Sequence, residues 1–376
     1  MYLGRRTFLA GAIALAGAPR AFAQQAGPVR IPFTLSDSRV LVECTLAGRG
    51  PYRFVLDTGG TIGLVDQRFV REMRLPRVGQ APLALRGIRR AYELHEVRDL
   101  AFGGVVRQQS AVFAAVGDVN FGDDAVGSLA AGVLSAVNGE LDYDAREWRI
   151  HATPPERPGW TRYEQAIVQH GNRNGSSFLF ADAELGGQHF RLGLDTGMPT
   201  PIRIYRRTAE RAGLWNSPRW SPAAPDGRTR IVRASSLGLA GARIERPLVS
   251  MMESPQWELF DAGLLGLPIL RQFNMATEVD SRAVLLNRNG QPPLPSERYN
   301  RAGIWITRDG ARLSVGVVGG GSPAEAAGLA AGDRIVGADF SSLIAALQGT
   351  AGAQVPLSIE RGGARRELVL TLADYL

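Results

Sequence analysis

Phe54-Val55-Leu56-Asp57-Thr58-Gly59 is the stretch that decides the fold, because it returns later in the chain as Leu192-Gly193-Leu194-Asp195-Thr196-Gly197. In each copy an apolar run predicts a buried strand, which delivers an aspartate to a turn that the nearby glycine makes possible. One Asp-Thr-Gly is weak evidence, since an ordinary capped turn has the same composition. Two copies behind apolar strands indicate an internal duplication.

The duplication extends beyond the two turns. Ala131-Gly132-Val133-Leu134 matches Ala262-Gly263-Leu264-Leu265, and Asp144-Ala145-Arg146 matches Asp280-Ser281-Arg282, in the same order after each turn. Short runs of β-branched and aromatic residues between turns are typical of strands. The sequence therefore predicts a mainly β fold that contains two pseudo-symmetric half-domains.

The chain divides into recognisable regions. We assign lobe 1 to residues 24–155 and lobe 2 to residues 156–290. A linker at residues 291–300 contains three prolines, as is typical of a boundary that few contacts cross. The C-terminal segment, residues 301–376, contains Ser322 just before a proline, a pattern that predicts the capped start of a short helix.

The N-terminus has the pattern of an export signal. Arg5-Arg6 precede an apolar stretch at residues 10–18 and the cleavage pattern Ala21-Phe22-Ala23, so residues 1–23 are predicted to be a signal peptide. Adjacent arginines are typical of the twin-arginine type. We expect a bacterial protein that is periplasmic or secreted, with no membrane span after cleavage. An uncleaved membrane anchor is the alternative.

Composition sets further limits. The 376 residues are 45% hydrophobic and 21% charged, which suits two or three domains with a sizeable core. The net charge of +7 is small and dispersed, which argues against nucleic-acid binding. The four histidines lack metal-ligand spacing, so we expect no metal and no cofactor. Cys44, the single cysteine, is predicted to be a buried thiol.

Asp57 and Asp195 form a chemical unit if the two half-domains face each other. Two carboxylates a few ångströms apart cannot both ionise cheaply, so one pKa is raised and the pair shares a proton. Such a pair supplies a base that deprotonates water and an acid that protonates a carbonyl oxygen. The apparent pKa values belong to the pair, so the proton is assigned to neither residue.

The residues after each aspartate suit a supporting role. Thr58 and Thr196 are placed to hydrogen-bond across the pair. Gly59 and Gly197 leave room for backbone amides to approach the carboxylates.

This arrangement resembles the retropepsin-like and pepsin-like aspartic peptidases. Their pattern is two hydrophobic residues and Asp-Thr-Gly, followed later by two hydrophobic residues and glycine, here Gly263-Leu264-Leu265-Gly266. The resemblance implies two retropepsin-like β-barrel lobes in one chain, joined as a pepsin-like bilobal unit. It also implies an aspartic endopeptidase that hydrolyses polypeptides, with Asp57 and Asp195 as catalytic residues and each Thr-Gly pair as their support.

Three positions depart from the family's pattern. Gly60 and Met198 stand where many relatives have Ser, Thr or Ala, and Ser135 stands where lobe 1 would have a glycine. We expect the substrate-covering flaps at residues 87–92 and 225–233. The departures keep a second hypothesis open, a catalytically inactive peptide-binding or envelope-interaction protein with the same fold.

The C-terminal segment resembles a PDZ domain of the bacterial periplasmic kind. The resemblance lies in Gly321-Ser322-Pro323-Ala324 and Gly332-Asp333-Arg334-Ile335. It implies a small α+β domain beside whose edge strand a peptide adds, with a terminal carboxylate received by the loop of Gly303, Ile304 and Trp305. A stabilising module with a blocked groove is the alternative.

Overall fold

The computed structural model describes residues 27–36, 38–85, 88–104, 106–122, 124–169, 175–254, 260–292 and 299–376. The predicted signal peptide and most of the predicted linker lie outside these residues. Strands dominate the described chain, which confirms the predicted mainly β class. None of the helices in these ranges has the length and apolar character needed to cross a membrane.

Lobe 1 begins with alternating buried and exposed residues, so that Val29, Ile31 and Phe33 face the core. Its strands are β1 (Val29–Ser36), β2 (Arg39–Leu46), β3 (Arg49–Leu56), β4 (Gly63–Asp66), β5 (Arg77–Leu85), β6 (Ile88–Phe102), β7 (Val106–Val116), β8 (Gly127–Leu129), β9 (Asn138–Asp142) and β10 (Glu147–His151). Its helices are α1 (Gln67–Met73) and α2 (Gly132–Ser135). Helix α1 begins where the Asp66 carboxylate accepts the Arg68 N–H at 2.6 Å.

The region predicted as lobe 2 contains more strands, most of them short. Its strands are β11 (Thr161–Tyr163), β12 (Ile167–Val168), β13 (Phe178–Leu185), β14 (Gln188–Asp195), β15 (Ile202–Tyr205), β16 (Ser221–Pro222), β17 (Arg230–Arg233), β18 (Ser236–Leu239), β19 (Ala242–Glu245), β20 (Leu248–Met252), β21 (Gly263–Gly266), β22 (Phe273–Glu278) and β23 (Ala283–Arg288). Its helices are α3 (Arg206–Arg211) and α4 (Leu267–Leu270).

The strands around the two Asp-Thr-Gly turns pair in the same order. In lobe 1, β8 lies parallel to β3 and antiparallel to β4, and β4 lies parallel to β7. In lobe 2, β21 lies parallel to β14 and antiparallel to β15, and β15 lies parallel to β20. Each turn therefore follows a strand that has neighbours on both sides, β3 between β2 and β8 and β14 between β13 and β21.

This pairing corrects one detail of the repeat. The sequence repeat aligns Ala131-Gly132-Val133-Leu134 with Ala262-Gly263-Leu264-Leu265, but the strand behind the lobe 1 turn is β8. In β8, Leu129 pairs with Leu56, just as Leu265 pairs with Leu194 in lobe 2. Residues 132–135 instead form α2, so Ser135 is a buried helical residue and does not replace a glycine of that strand.

The strands of each lobe close on themselves. In lobe 1, β6 pairs with both β7 and β2 and thereby completes a ring. In lobe 2 the corresponding ladder is interrupted at Pro247, which has no N–H to donate. Two backbone bonds span the interruption, from the Ala234 N–H to the Pro247 carbonyl at 3.1 Å and from the Arg246 N–H to the Ser235 carbonyl at 2.9 Å.

The two lobes share one sheet and one core. Strands β9 and β22 pair antiparallel, with Glu140 opposite Ala276 and Leu141 opposite Met275. The six strands in the order β11-β23-β22-β9-β10-β1 thus run across the junction. A single cluster of buried apolar side chains extends through both lobes, so the junction fixes one turn relative to the other.

A buried ionic cluster lies at this junction. The Glu140 carboxylate accepts hydrogen bonds from Arg149 at 3.0 Å and from Arg157 at 2.8 Å, and it lies 3.0 Å from His151 Nε2. Burial raises the pKa of Glu140, but the hydrogen bonds from His151 and Arg157 outweigh it and lower that pKa to about 2. Across the junction, lobe 2 has the small apolar Ala276.

The C-terminal segment has its own sheet and core. Its strands follow chain order, β24 (Ile304–Asp309), β25 (Arg312–Val318), β26 (Arg334–Val336), β27 (Gln354–Arg361) and β28 (Ala364–Thr371), with helices α5 (Pro323–Ala326) and α6 (Phe340–Leu347). Ser322 caps α5 as predicted, since its hydroxyl accepts the Glu325 N–H at 3.2 Å. Most buried apolar residues of this segment form a cluster separate from that of the lobes.

Lobe 2 packs against the C-terminal segment beside the start of β16. The Trp220 N–H donates to the Gly320 carbonyl at 3.1 Å, and the Tyr375 hydroxyl donates to the Trp220 carbonyl at 3.1 Å. Tyr375 and Leu376 also pack with Leu248 of β20. The end of the chain is therefore tied to the second lobe.

Candidate active site

The two aspartates stand at the ends of strands that are anchored in the core. Leu56 and Leu194, directly before them, are almost fully buried. The Gly59 N–H donates to Asp57 Oδ1 at 3.0 Å, and the Gly197 N–H donates to Asp195 Oδ1 at 2.9 Å. Each carboxylate is thus oriented by its own turn, in the same way in both lobes.

Thr58 and Thr196 connect the two turns. Both are 0% exposed. Thr58 Oγ1 donates to the Leu194 carbonyl and Thr196 Oγ1 donates to the Leu56 carbonyl, each at 2.6 Å. Each hydroxyl also accepts the N–H of the other threonine, at 2.9 and 3.1 Å. These four reciprocal bonds hold the turns face to face.

The Asp57 and Asp195 carboxyl groups each face the opposite turn and lie close enough to alter the pKa of one another. Burial raises the pKa of Asp57 well above its usual range, and the charge of Asp195 raises it further. Burial also raises the pKa of Asp195, although the positive charge of Arg203 opposes this shift. A pair with these properties retains one proton over a broad pH range and carries one negative charge.

The glycines of both turns are needed because the opposing carboxyl groups are so close. A Cβ atom on Gly59 would lie 2.4 Å from Asp195 Cγ. A Cβ atom on Gly197 would lie 2.4 Å from Asp57 Oδ1. The structure therefore brings together all six predicted residues of the two Asp-Thr-Gly turns.

The residue after each turn provides no hydroxyl, as the sequence indicates. A Cβ atom on Gly60 would lie 3.7 Å from Asp57 Oδ2, so a small side chain would fit there. Met198 is buried in an apolar cluster with Phe260 and Leu264. Its backbone N–H donates to the Asp195 carbonyl at 3.2 Å, as the Gly60 N–H donates to the Asp57 carbonyl at 3.4 Å.

Both predicted flaps fall on hairpins. Of the first predicted flap, residues 88–92 lie at the start of β6, which pairs with β5, and Gly87 is outside the described residues. Tyr92 is buried there in the apolar cluster that contains Leu64. Residues 225–233 form the turn before β17 and β17 itself, which pairs with β16.

The predicted carboxylate loop belongs to the sheet of the C-terminal segment. Ile304 and Trp305 begin β24, the edge strand of its sheet. The Gly303 N–H already donates to the Asn300 carbonyl at 2.9 Å and to Asn300 Oδ1 at 3.1 Å, and Ala302 donates to the same Oδ1 at 3.0 Å. A peptide carboxylate at Gly303 would have to displace the Asn300 side chain, so the loop's role stays a prediction.

Arg203 of β15 is a charged residue near the dyad that the sequence reasoning missed. Its charge acts on Asp195, as described above. The sequence contains one indication of this residue, because Arg203 interrupts the apolar strand Ile202–Tyr205 shortly after the second Asp-Thr-Gly.

Other reactive groups lie outside the dyad. The Cys44 thiol is buried as predicted, and burial raises its pKa to about 12, so it stays protonated. Within the described ranges, no three His, Cys, Asp or Glu side chains are grouped as metal ligands.

Comparisons with known proteins give a fold-level similarity. No protein-family model matches the chain, and no match to a curated protein is found. Among solved structures, the aspartic proteinase from Irpex lacteus is similar with a TM-score of 0.47 and 10% sequence identity. The similarity covers 70% of this chain and 98% of that one.

Proposed function

We propose that this protein is an aspartic endopeptidase, in which Asp57 and Asp195 activate a water molecule that attacks a peptide bond. The observation that carries the proposal is the dyad itself, two facing carboxyl groups with raised pKa values. Reciprocal threonine bonds hold their turns together. Preorganised acid and base groups of this kind suit hydrolysis at a carbonyl centre.

The chemistry follows from one shared proton. The ionised carboxylate accepts a proton from water while the water oxygen bonds to the carbonyl carbon of the scissile peptide. The protonated carboxyl group gives its proton to the carbonyl oxygen, so the dyad keeps its net charge. The carboxyl group that took the proton from water then gives it to the amide nitrogen, and the other carboxylate takes a proton from one hydroxyl of the tetrahedral intermediate. The C–N bond breaks, an amine and a carboxylic acid are released, and the dyad again holds one proton.

The wider architecture fits this proposal. The matching strand order of the two lobes supports a pseudo-symmetric, bilobal unit of the pepsin-like kind, with polypeptides as substrates. We further propose that residues 301–376 are a PDZ-like domain that binds a peptide or partner, and that residues 1–23 direct the protein to the periplasm or outside the cell.

The test is cleavage of a denatured polypeptide from pH 3 to pH 8 by the chain without residues 1–23. We expect the parent to cleave and both Asp57→Asn and Asp195→Asn to lose activity. Asp309→Asn, at an exposed position of the C-terminal segment, serves as the matched control and should keep activity. Equal activity in either dyad variant and the parent would contradict the proposal.

A non-catalytic peptide-binding protein is the second candidate. The observation in its favour is the missing hydroxyl at Gly60 and Met198. Binding of a transition-state-like inhibitor with a central hydroxyl, measured by thermal shift, separates the two. An endopeptidase binds it through the dyad and loses that binding in Asp57→Asn. A protein that neither cleaves nor binds the inhibitor, yet binds peptides, is the second kind.

A further inference from the structure

The two sides of the dyad differ at one pair of equivalent positions. In lobe 1, Leu64 of β4 lies opposite Ser128 of β8. In lobe 2, Arg203 of β15 lies opposite Leu264 of β21. Because β4 and β15 hold the same place in the strand order of their lobes, Leu64 and Arg203 correspond to each other.

A second contact supports this correspondence. A Cβ atom on Gly127 would lie 2.2 Å from the Leu64 carbonyl oxygen. A Cβ atom on Gly263 would lie 2.2 Å from the Arg203 carbonyl oxygen. The backbones therefore approach each other in the same way in both lobes, and the side chains at these positions take equivalent directions.

The strand pattern shows on which face of β15 Arg203 lies. Its neighbours Ile202 and Ile204 are fully buried in the core shared by the lobes, and side chains alternate along a strand. Arg203, half-buried, lies on the opposite face. On the corresponding face of lobe 1, Leu64 packs in the same cluster as Tyr92 of the predicted flap.

The Arg203 guanidinium has a donor that is not used. Among the described residues, its Nε is buried without a hydrogen-bond partner. The strand register relates Arg203 to the dyad, because Leu264 pairs with Gly193 on one side and with Arg203 on the other. Asp195 stands two residues after Gly193, so Arg203 and Asp195 lie on the same face of the sheet. A buried donor without an acceptor is unfavourable, so an acceptor that arrives with a ligand gains from this position.

We infer that Arg203 forms a subsite for an acidic side chain of the substrate on the lobe 2 side of the scissile bond, while Leu64 provides an apolar subsite on the lobe 1 side. This inference rests on the proposed function. An extended peptide that crosses the dyad places residues on both sides of it, one toward each lobe. A carboxylate matches the two-pronged geometry of a guanidinium and pairs with it strongly where water is excluded.

The dyad also makes the selection strict. It carries one negative charge, so an acidic side chain elsewhere near Asp57 and Asp195 meets repulsion. Arg203 offsets that repulsion at its own position. Selection therefore depends on where the acidic residue stands in the peptide, as well as on its presence.

The experiment measures peptide binding by the Asp57→Asn chain, so that cleavage does not consume the probe. Labelled peptides carry a single Glu at each of the three positions on either side of a central hydrophobic pair, and each is compared with its Gln counterpart. We expect one position to favour Glu by about 10- to 100-fold in Kd. Arg203→Leu should abolish this preference, and Arg203→Lys should retain part of it.

A matched control is Arg207→Leu, an exposed arginine close by in the sequence, which should keep the preference. A preference that survives Arg203→Leu, or no preference at any position, or no peptide binding, overturns the inference. Cleavage by the parent protein is measured separately. Cleavage without a Glu preference overturns the inference and leaves the proposed function standing. A Glu preference that depends on Arg203 without any cleavage overturns the proposed function and leaves Arg203 as an acidic subsite of a peptide-binding protein.

Discussion

The hairpins β5–β6 of lobe 1 and β16–β17 of lobe 2 hold corresponding places in their sheets, but different parts of the molecule support them. In lobe 1, β6 is one continuous strand of 15 residues that also pairs with β2 and β7. In lobe 2 the corresponding stretch is divided into β17 and β18. The turn of its hairpin lies against the C-terminal segment, since a Cβ atom on Gly227 would lie 3.3 Å from Val317.

The turns that hold the dyad show no such divergence. Their hydrogen bonds match within 0.2 Å, since 3.0 Å at Gly59 corresponds to 2.9 Å at Gly197, and 3.1 Å at Thr58 to 2.9 Å at Thr196. Two carboxyl groups that share a proton tolerate little displacement, whereas a covering hairpin needs only some support. The geometry of the two dyad turns is therefore constrained by the chemistry. The contacts that support the two hairpins can vary between the lobes.

The largest expected effect comes from Gly59→Ala and Gly197→Ala. The new Cβ atom would overlap the opposing carboxyl group, so each variant should lower kcat/KM by at least about 100-fold. The two losses should be similar, because the turns are equivalent. Gly79→Ala, at an open position, is the control. A variant of either turn that keeps parental activity would break the equivalence.

Thr58→Val and Thr196→Val come next. Each leaves one buried carbonyl and one buried N–H without a partner, which should lower the free energy of unfolding by about 2–4 kcal/mol. Urea unfolding at neutral pH measures the change. The exposed Thr34→Val provides the baseline. A difference of more than about 1 kcal/mol between the two variants would show that the lobes contribute unequally.

Glu140→Gln tests the charged side of the junction. The folded pKa of about 2 lies below the usual 4.5, so the carboxylate stabilises the fold above pH 4.5, and this contribution disappears as the pH falls through 2. The variant should lose about 2–3 kcal/mol of unfolding free energy at pH 7 and much less at pH 2. The exposed Glu156→Gln should show little change. A loss independent of pH would assign the effect to packing.

Tyr375→Ala should produce the smallest effect, about 1–2 kcal/mol, confined to lobe 2. It removes the hydroxyl bond to the Trp220 carbonyl and part of the packing on Leu248. Amide hydrogen exchange should become about 10-fold faster in β16–β17 and stay unchanged in β5–β6. Val369→Ala, at a 56% exposed position of the same segment, is the control. Equal acceleration in both hairpins would remove the contrast between them.

The dyad can be predicted from the sequence because the evidence for it is a short motif that occurs twice. An apolar strand followed by Asp-Thr-Gly indicates the same turn in both copies, and the four supporting residues follow directly. The strand that pairs with the strand before each aspartate is harder to identify from the sequence. Lobe 1 contains two glycines in similar surroundings, Gly127 and Gly132, and only the strand pairing shows that Gly127 corresponds to Gly263.

The features that the sequence does not predict depend on contacts between residues far apart in the chain. The hydrogen bond between Tyr375 and Trp220 joins residues 155 positions apart, and neither residue stands in a motif. Asn300, which engages the Gly303 amide, lies within the predicted linker. Arg203 could be related to Leu64 only after the pairing partners of β4 and β15 were known.

The reciprocal threonine bonds have a consequence for the behaviour of the protein on dilution. Each threonine hydroxyl forms these hydrogen bonds with the opposite lobe, so neither half of the site can form them alone. Because both halves belong to one chain, the second half is present at an effective concentration set by the connecting segment and the shared sheet. The intact dyad therefore does not depend on the protein concentration. It persists at dilutions where a site assembled from two separate chains would dissociate.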